Sequence, residues 1–431
     1  MKSNIFKKLS NNNLARNVLI VASGTAAAQI IALILMPIIT RLYGPESYGK
    51  LGVFITVITI LTPISTMALP SAIVLPEKDS ESRAIARLSL IIALLVSTIL
   101  SLVFIAANDL LVNLSTFQNL GNLIWFLPLA LLFTSCQDVY TQWIIRKKEF
   151  KDLSKVSVSH SLLNYGTQAL IGFKYPFTYI LIAIHTIGIF VRALMLYYFS
   201  KDIRSTSLKS DRNSKPSALR ILRKYYDFPM YRAPEMLLSA ISQGMPVILL
   251  STYFSLTIAG FYTLTRTVLA IPINLLGSSI QSVFYPHFNE AVLNNSKTTS
   301  LLMKPTLTLL YVGLVPLVLT IFFAPFAFSL VFGDEWYEAG KYAQWLSIWF
   351  LFTLVSRPSI SAIPVFKLQG WLLIFELIST IVKILALFIG YYYFNNPIVA
   401  ISLFSITGSL AFLILILKVF KHAATLDNKI K

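Results

Sequence analysis

Apolar runs of about 20 residues recur along nearly the whole chain and constrain its fold more than any other feature. That length of α-helix crosses the hydrocarbon core of a bilayer, and the polar segments between the runs are short. We place the runs at residues 15–39, 50–70, 84–107, 121–143, 155–173, 176–199, 226–252, 257–284, 304–327, 343–365, 370–393 and 396–418. The sequence therefore predicts an all-α integral membrane protein with about 12 transmembrane helices.

Composition and cysteine content exclude several other classes of protein. Hydrophobic residues make up 56% of the 431 residues and charged residues only 13%, against about 25% charged residues in an ordinary soluble domain. The single cysteine, Cys136, argues against a disulfide-stabilised secreted protein. The first apolar run has the length of a full span, so we interpret it as a transmembrane helix and not as a cleavable signal peptide.

Basic residues indicate the orientation of the chain. The 36 Lys and Arg residues outnumber the 18 Asp and Glu residues, which gives a formal net charge of +18. Most of them lie in the N-terminal segment, the even-numbered loops and the C-terminal tail, whereas the odd-numbered loops carry only Arg41, Lys50, Lys174 and Lys341. Because cytoplasmic segments accumulate Lys and Arg, this distribution predicts that both termini are cytoplasmic. The excess charge is explained by topology and does not indicate nucleic-acid binding.

A polar segment at residues 200–220 separates two halves of six spans each. We predict an N-terminal lobe (1–200, spans 1–6), a basic cytoplasmic linker (201–225) and a C-terminal lobe (226–431, spans 7–12). Because each half has an even number of spans, a duplication would be a parallel repeat about an axis along the membrane normal. The passages 25–63 and 239–272 support this repeat. Each has a glutamine before a proline, then Gly49 or Gly260, and then Pro63 or Pro272.

Motifs for catalysis or metal binding are missing from the sequence. It has no phosphate-binding glycine loop, no HExxH and no GxSxG, and its four histidines fall on different spans or in the tail. We therefore predict no catalytic residues, no metal site and no resident cofactor. Without such motifs, any movement of a substrate through the membrane is expected to be driven by a gradient of H⁺ or Na⁺, or by the gradient of the substrate itself.

Ionisable residues inside the predicted spans indicate where function lies, because charge is costly in a bilayer and marks a pathway or cavity. They are Asp138, Glu235, Glu376, Arg192, Arg232, Arg266, Arg357 and Lys383. We predict that Arg266, Arg357 and Lys383 line a cavity. Arg266 and Arg357 have no acidic neighbour one turn away on their own helices, and Lys383 lies near the midplane, two turns after Glu376. The surplus of basic groups favours an anionic ligand.

The remaining ionisable residues have structural interpretations as well as functional ones. Arg232 and Glu235 are three residues apart on one helix and can pair with each other. We expect Arg192 to extend its side chain to the inner interface, and Asp138 can act as an interfacial cap near the inner end of its span. In the functional interpretation, Asp138, Glu235 and Glu376 are candidates for coupling transport to an ion.

Prolines break the predicted spans at corresponding places in the two halves. Those of the first half are Pro37, Pro63 and Pro70, and those of spans seven and eight are Pro229, Pro234, Pro246 and Pro272. Proline removes a backbone hydrogen bond and kinks a helix. Interrupted helices at matching positions of two repeats indicate the binding region of a transporter.

Three passages carry a resemblance to a known family. They read IVASGTAAAQIIALILMPIITRLYGPESYGKLGVF at 20–54, ALPSAIVLPEKD at 68–79, and AGFYTLTRTVLAIPINLLGSSIQSVFYPHF at 259–288. The first two resemble the opening of bacterial polysaccharide-repeat (O-antigen) flippases, and the third resembles the eighth span of that family. These flippases belong to the multidrug/oligosaccharidyl-lipid/polysaccharide exporter superfamily.

The resemblance implies a V-shaped pair of six-helix lobes around a central cavity that opens to each side of the membrane in turn. It implies a protein of the bacterial inner membrane that moves undecaprenyl-pyrophosphate-linked oligosaccharide from the cytoplasmic to the periplasmic leaflet. The implied partners are that lipid-linked oligosaccharide, membrane lipids and polysaccharide-assembly proteins. The cavity cations of the family correspond here to Arg266, Arg357 and Lys383, with Arg41 at the outer mouth and Arg232 as a further substrate-binding candidate.

Two alternatives remain open from the sequence. A multidrug exporter of the same superfamily would favour organic cations, and the surplus of basic groups within the spans argues against it. A membrane polysaccharide polymerase or ligase usually carries a large outer loop, whereas the outer loops predicted here reach only about a dozen residues.

Overall fold

A computed structural model describes residues 13–106, 118, 120–200, 218–293 and 297–430, and all their regular secondary structure is helical. The α-helices are α1 (Asn13–Thr66), α2 (Asp79–Ala106), α3 (Leu127–Arg146), α4 (Phe150–Gly172), α5 (Thr178–Phe199), α6 (Ala218–Lys224), α7 (Ala233–Tyr253), α8 (Leu256–Leu293), α9 (Thr298–Phe332), α10 (Tyr337–Val355), α11 (Arg357–Ala362), α12 (Gln369–Tyr392) and α13 (Pro397–Ile430). Short 3₁₀ turns lie at Leu69–Ala72, Gly121–Phe126 and Asp334–Trp336, and a π-helical turn at Phe228–Arg232 precedes α7.

Nine helices in the described part of the chain are long and apolar enough to cross a membrane. One of them, α1, has 54 residues and contains the first two predicted spans, while α4 and α10 lie on the fifth and tenth. The predicted all-α, multi-pass membrane architecture with about 12 spans is therefore confirmed.

The outer loop predicted between the first two spans is reduced to a single break in α1. Helical geometry continues from residue 13 to residue 66 except at Gly44, whose φ of 70° and ψ of 172° lie outside the helical region. A positive φ with extended ψ is accessible to glycine at little cost. The chain therefore redirects at one residue, where the apolar pattern alone predicted a loop of about ten residues.

Packing divides the chain into two compact units. Unit 1 contains the described residues of Met1–Tyr43 and Lys50–Thr252, and unit 2 contains those of Gly44–Gly49 and Tyr253–Lys431. By this criterion α7 belongs to unit 1, whereas the predicted lobes assign it to the second half. Residues 201–217 of the predicted linker lie outside the described residues. The predicted lobes were defined by the repeat in the sequence, whereas the two units are defined by packing. The units therefore do not test the lobe boundaries, which stay a prediction.

The break at Gly44 divides α1 into a first arm (residues 13–43) and a second arm (residues 45–66). In unit 1 the first arm packs closely on α4. The Ser161 hydroxyl donates to the carbonyl of Ala28 at 2.6 Å, and the Tyr43 hydroxyl donates to the carbonyl of Gln168 at 3.2 Å. A Cβ added at Gly24 would lie 1.7 Å from Oγ of Ser154, so this approach requires glycine. The second arm meets α3, where Ser65 and Ser135 share a buried hydrogen bond of 2.7 Å.

Loops predicted on one side of the membrane are joined by ion pairs in unit 1. Arg146 and Lys147, at the end of α3, contact the Asp79 carboxylate at 3.0 Å and 2.6 Å. Glu81 accepts a hydrogen bond from Lys224, and this bond raises the pKa of Lys224 above its ordinary value. The second loop, the fourth loop and the described end of the linker therefore lie together, as their shared basic character predicts.

In unit 2, helices α8, α9, α10 and α13 surround a core of large apolar side chains. The Asp427 carboxylate, near the end of α13, accepts hydrogen bonds from the backbone N–H groups of Thr298 and Thr299 at 2.8 Å and 3.0 Å. It thereby satisfies donors in the first turn of α9, which have no partner within the helix.

Gly49 and Gly260, which occupy matching places in the sequence repeat, face each other within unit 2. A Cβ at Gly49 would lie 1.9 Å from the carbonyl oxygen of Leu256, and one at Gly260 would lie 2.0 Å from that of Pro45. Each carbonyl belongs to the residue four positions before the opposite glycine. The contact is therefore reciprocal, since each glycine leaves room for a backbone carbonyl next to the other.

Candidate functional site

Arg357 lies where the tenth predicted span is broken. Helix α10 ends at Val355 and the short helix α11 begins at Arg357, with Pro358 in its first turn. Proline is favoured at that position because its missing N–H would be unpaired there anyway. The break turns one predicted continuous span into two helices and places a guanidinium at the junction.

The guanidinium of Arg357 has unused hydrogen-bonding capacity. Among the described residues, no acceptor lies within hydrogen-bonding distance of its buried Nε. Gly277 of α8 packs against it, since a Cβ at Gly277 would lie 3.0 Å from Nε of Arg357. A guanidinium offers five N–H donors in a rigid fork that matches phosphate oxygens, so this arrangement suits an anionic ligand.

Arg266 lies on the same helix as Gly277 but at another height. Eleven residues of α-helix separate the two positions, which corresponds to about 16 Å along the axis. Arg266 lies within electrostatic range of the buried Tyr262. The backbone positions of Arg266 and of Gly277, against which Arg357 packs, are therefore about three turns apart on α8.

Lys383 and Glu376, which are two turns apart on one face of α12, attract each other. Both side chains are partly buried. The structure thus brings a predicted substrate-binding residue and a predicted ion-coupling residue into one electrostatic pair.

The pair expected from the sequence, Arg232 and Glu235, is formed. Nη1 of Arg232 donates to both carboxylate oxygens of Glu235, at 2.9 Å and 2.8 Å, and each side chain is 48% exposed. Arg41 is an exposed residue of α1, three positions before the break at Gly44. The structural interpretation of the pair is thereby supported, and the substrate-binding and ion-coupling roles of these residues stay predictions.

Arg192 lies beside an acidic residue of another helix. Its Nε is buried, with no hydrogen-bond partner among the described residues, and the side chain is attracted to the carboxylate of Asp138 on α3. The expectation that Arg192 extends to the inner interface stays a prediction. A charge in an apolar environment is stabilised most by an opposite charge on a neighbouring helix, and sequence spacing cannot show such a partner.

A pocket with a mainly apolar wall and several polar side chains opens beside Asp138 within unit 1. It has a volume of about 330 Å³ and lies between the second arm of α1, α3 and α7. Its lining consists of Thr59, Thr62, Pro63, Thr134, Asp138, Met236, Ser239, Ala240 and Gln243. Of the polar residues in this lining, only Asp138 was predicted from the sequence as a site residue.

A sequence pattern for this pocket does exist. Thr59 and Thr62 are three residues apart, Thr134 and Asp138 four, and Ser239 and Gln243 four, so each pair lies on one face of its helix. Polar residues at helical spacing in three spans indicate a shared polar lining. Which three spans meet is decided by tertiary packing.

The described residues contain no group of three or more His, Cys, Asp and Glu side chains that could hold a metal ion. The ionisable residues of the site also divide between the units. Arg41, Asp138, Arg232 and Glu235 belong to unit 1, and Arg266, Arg357, Glu376 and Lys383 belong to unit 2.

Solved structures with the same fold are membrane transporters. An inward-facing multidrug resistance MATE family transporter of the MOP superfamily matches with a TM-score of 0.74 over 93% of this chain and 96% of its own, at 13% identity. The lipid II flippase MurJ, in an inward closed conformation, matches with a TM-score of 0.72 over 96% of this chain and 90% of its own, at 14% identity. The fold is therefore the all-helical, multi-pass fold of these transporters.

Sequence comparison identifies the family. The profile described as polysaccharide biosynthesis protein matches residues 38–341. The succinoglycan biosynthesis transport protein ExoT of Rhizobium meliloti (strain 1021) is 23% identical over 317 residues, which are 70% of this chain and 59% of the relative, so the match spans less than two thirds of that protein. The chain belongs to the polysaccharide biosynthesis protein family, and the family resemblance of its three passages is confirmed.

Proposed function

We propose that this chain is a flippase that moves a polysaccharide repeat unit, linked to undecaprenyl pyrophosphate, from the cytoplasmic to the periplasmic leaflet by alternating access. Family membership supports a role in polysaccharide biosynthesis. The relative ExoT is named a transport protein, and MurJ, which shares the fold, is a lipid II flippase. The chain works as a transporter and not as an enzyme, in the bacterial inner membrane with both termini in the cytoplasm.

Arg357 is the observation that carries this proposal. A partly buried guanidinium whose Nε is buried without an acceptor is costly in a membrane protein unless a ligand or a water-filled cavity stabilises it. A pyrophosphate is the part of the proposed substrate that would accept its hydrogen bonds. Arg266, Lys383, Arg232 and Arg41 are further candidates for contact with the same substrate or with its path.

Coupling to H⁺ or Na⁺ is the proposed source of energy. The carboxylates of Asp138, Glu235 and Glu376 are the candidates, because a carboxylate inside a span can bind or release a cation. Membrane lipids surround the protein, and proteins of polysaccharide assembly are its proposed partners.

Arg357→Ala is expected to lower the rate of flipping by about ten- to a hundredfold, the equivalent of one lost charge-assisted hydrogen bond or a bidentate pair. The measurement uses a strain that lacks the gene, in which undecaprenyl-linked repeat units should accumulate on the cytoplasmic side. Plasmid-borne variants are compared for the surface polysaccharide that they restore.

Lys151→Ala is the matched control, since Lys151 is an exposed cation at the start of α4 outside the site. It should restore normal polysaccharide at normal protein levels. Full activity of a stably inserted Arg357→Ala variant would contradict the assigned role of Arg357. Normal polysaccharide in the deletion strain would reject the flippase proposal itself.

A multidrug exporter is the second candidate, because a MATE family transporter matches the fold with a TM-score of 0.74. Such a function predicts that the deletion strain becomes sensitive to cationic drugs while its surface polysaccharide stays normal. The basic surplus within the spans favours the flippase, since basic side chains repel organic cations.

A further inference from the structure

The pocket beside Asp138 presents hydroxyl and carboxylate oxygens, unlike the guanidinium of Arg357. The hydroxyls of Thr59, Thr62 and Thr134 each donate to the carbonyl four residues earlier, at 2.8, 2.7 and 2.7 Å. While these bonds are kept, the three oxygens are left to accept hydrogen bonds from a ligand. The Ser239 hydroxyl accepts a hydrogen bond from the side-chain amide of Gln243 at 3.1 Å and keeps its own hydrogen to donate. The carboxylate of Asp138 adds two further acceptor oxygens.

The carboxylate of Asp138 disfavours an anion such as the pyrophosphate in this pocket. A ligand that fits the lining donates hydrogen bonds to the threonine and carboxylate oxygens and accepts one from Ser239, and a sugar hydroxyl can do both.

The size of the pocket separates the remaining candidates. A volume of about 330 Å³ corresponds to roughly ten water molecules at about 30 Å³ each, which is far more than one dehydrated cation occupies. It lies in the range of small-molecule pockets. Pro63, Met236 and Ala240 give part of the wall an apolar character, which suits the C–H face of a sugar ring.

We propose that this pocket of unit 1 is a saccharide subsite, in which Thr59, Thr62, Thr134 and Asp138 accept hydrogen bonds from the hydroxyl groups of one neutral sugar residue. The inference rests on the proposed flippase function and deepens it. The pocket recognises the sugar of the lipid-linked substrate, and the recognition is independent of the pyrophosphate.

The test compares two probes on the purified full-length protein in lipid nanodiscs. One is the undecaprenyl-pyrophosphate-linked repeat unit extracted from the strain that lacks the gene, and the other is undecaprenyl pyrophosphate without sugar. The wild-type protein should bind the glycosylated lipid at least about tenfold more tightly. Thr62→Val and Thr134→Val keep the side-chain shape but remove an acceptor, so each should reduce that preference by about three- to tenfold. Their affinity for the bare lipid should not change.

Thr98→Val is the matched control. Thr98 makes the same kind of bond, to the carbonyl of Leu94 at 2.8 Å, but lies on an exposed face of α2 away from the pocket. The preference of Thr98→Val for the glycosylated lipid should equal that of the wild type. Equal thermal midpoints of Thr62→Val, Thr134→Val and Thr98→Val show that all three variants are folded.

Other outcomes would overturn the inference in distinguishable ways. The subsite is wrong, while the flippase proposal stands, if the wild type binds both lipids equally. The same holds if the pocket variants lower the affinity for both lipids to the same extent. If the preference survives in the variants but their binding loses a dependence on sodium, seen when sodium chloride is replaced by choline chloride, the pocket is a cation site. If the wild type binds neither lipid, the proposed function fails and the subsite falls with it.

Discussion

Gly277 determines how the guanidinium of Arg357 is held. A side chain at position 277 would press on Nε of Arg357 at 3.0 Å, so the glycine leaves a slot for a planar charged group against α8. The slot leaves Nε without an acceptor among the described residues. A buried donor without a partner costs about 1–3 kcal/mol, and protein structures retain such groups mainly where a ligand or water satisfies them.

The pair formed by Arg232 and Glu235 has a different character from that of Arg357. Both side chains are 48% exposed and their charges satisfy each other. Exposed pairs of this kind contribute about 0.2–1 kcal/mol to stability, because solvent screens them.

We expect a double-mutant cycle on Arg232→Ala and Glu235→Ala to give a coupling energy below about 1 kcal/mol. Chemical unfolding of the purified variants measures it. If the pair is only structural, all three variants also retain flipping in cells. A loss of flipping in Glu235→Ala without loss of stability would instead identify Glu235 as a coupling residue.

At the scale of helices, close backbone contacts at glycine hold several elements together. Gly49 and Gly260 are the most demanding, because each faces a backbone carbonyl and not a flexible side chain. A backbone carbonyl in a helix cannot move aside without disturbing the hydrogen bonds of its own turn. Only a residue without Cβ permits the two helices to approach this closely.

Gly49→Ala and Gly260→Ala should therefore each destabilise the protein by about 1–3 kcal/mol through overpacking. Thermal unfolding in detergent should show a lower midpoint for both variants. Gly166→Ala provides the control, since a Cβ there meets nothing within 4 Å. Because alanine is the better helix former, that variant should be as stable as the wild type or slightly more so. Unchanged midpoints for all three variants would show that the crossing tolerates a methyl group.

At the scale of the whole molecule, the two compact units carry different chemistry. Unit 2 contains the partly buried cation Arg357, and unit 1 contains the pocket beside Asp138 with its hydroxyl and carboxylate oxygens. A lipid-linked oligosaccharide has both an anionic pyrophosphate and neutral sugar hydroxyls. The chemistry of the two units thus matches the two polar parts of the proposed substrate.

The proposed orientation is tested with single cysteines, which this chain makes straightforward because Cys136 is its only cysteine. In a Cys136→Ser background, we expect Tyr393→Cys to react with a membrane-impermeant maleimide on cells with a permeabilised outer membrane. Lys151→Cys should react only after the inner membrane is broken. Both positions are exposed, so access is not limited by packing. The reverse labelling pattern would place the termini outside.

Much of this protein follows from local features of its sequence. Apolar length determines the spans, because unpaired backbone groups are excluded from the bilayer core. The spacing of Arg232 and Glu235 was sufficient to predict their ion pair, since a helix fixes the distance between residues on one face.

Only the tertiary structure decided the partners that lie on different helices. It placed Arg192 beside Asp138, Gly277 against Arg357 and Gly49 against Gly260. It also brought Thr62, Thr134 and Gln243 from three separate spans to one pocket. The physical reason is that spans of similar apolar character can pack in many orders, and the choice among those orders depends on close contacts between residues far apart in the chain.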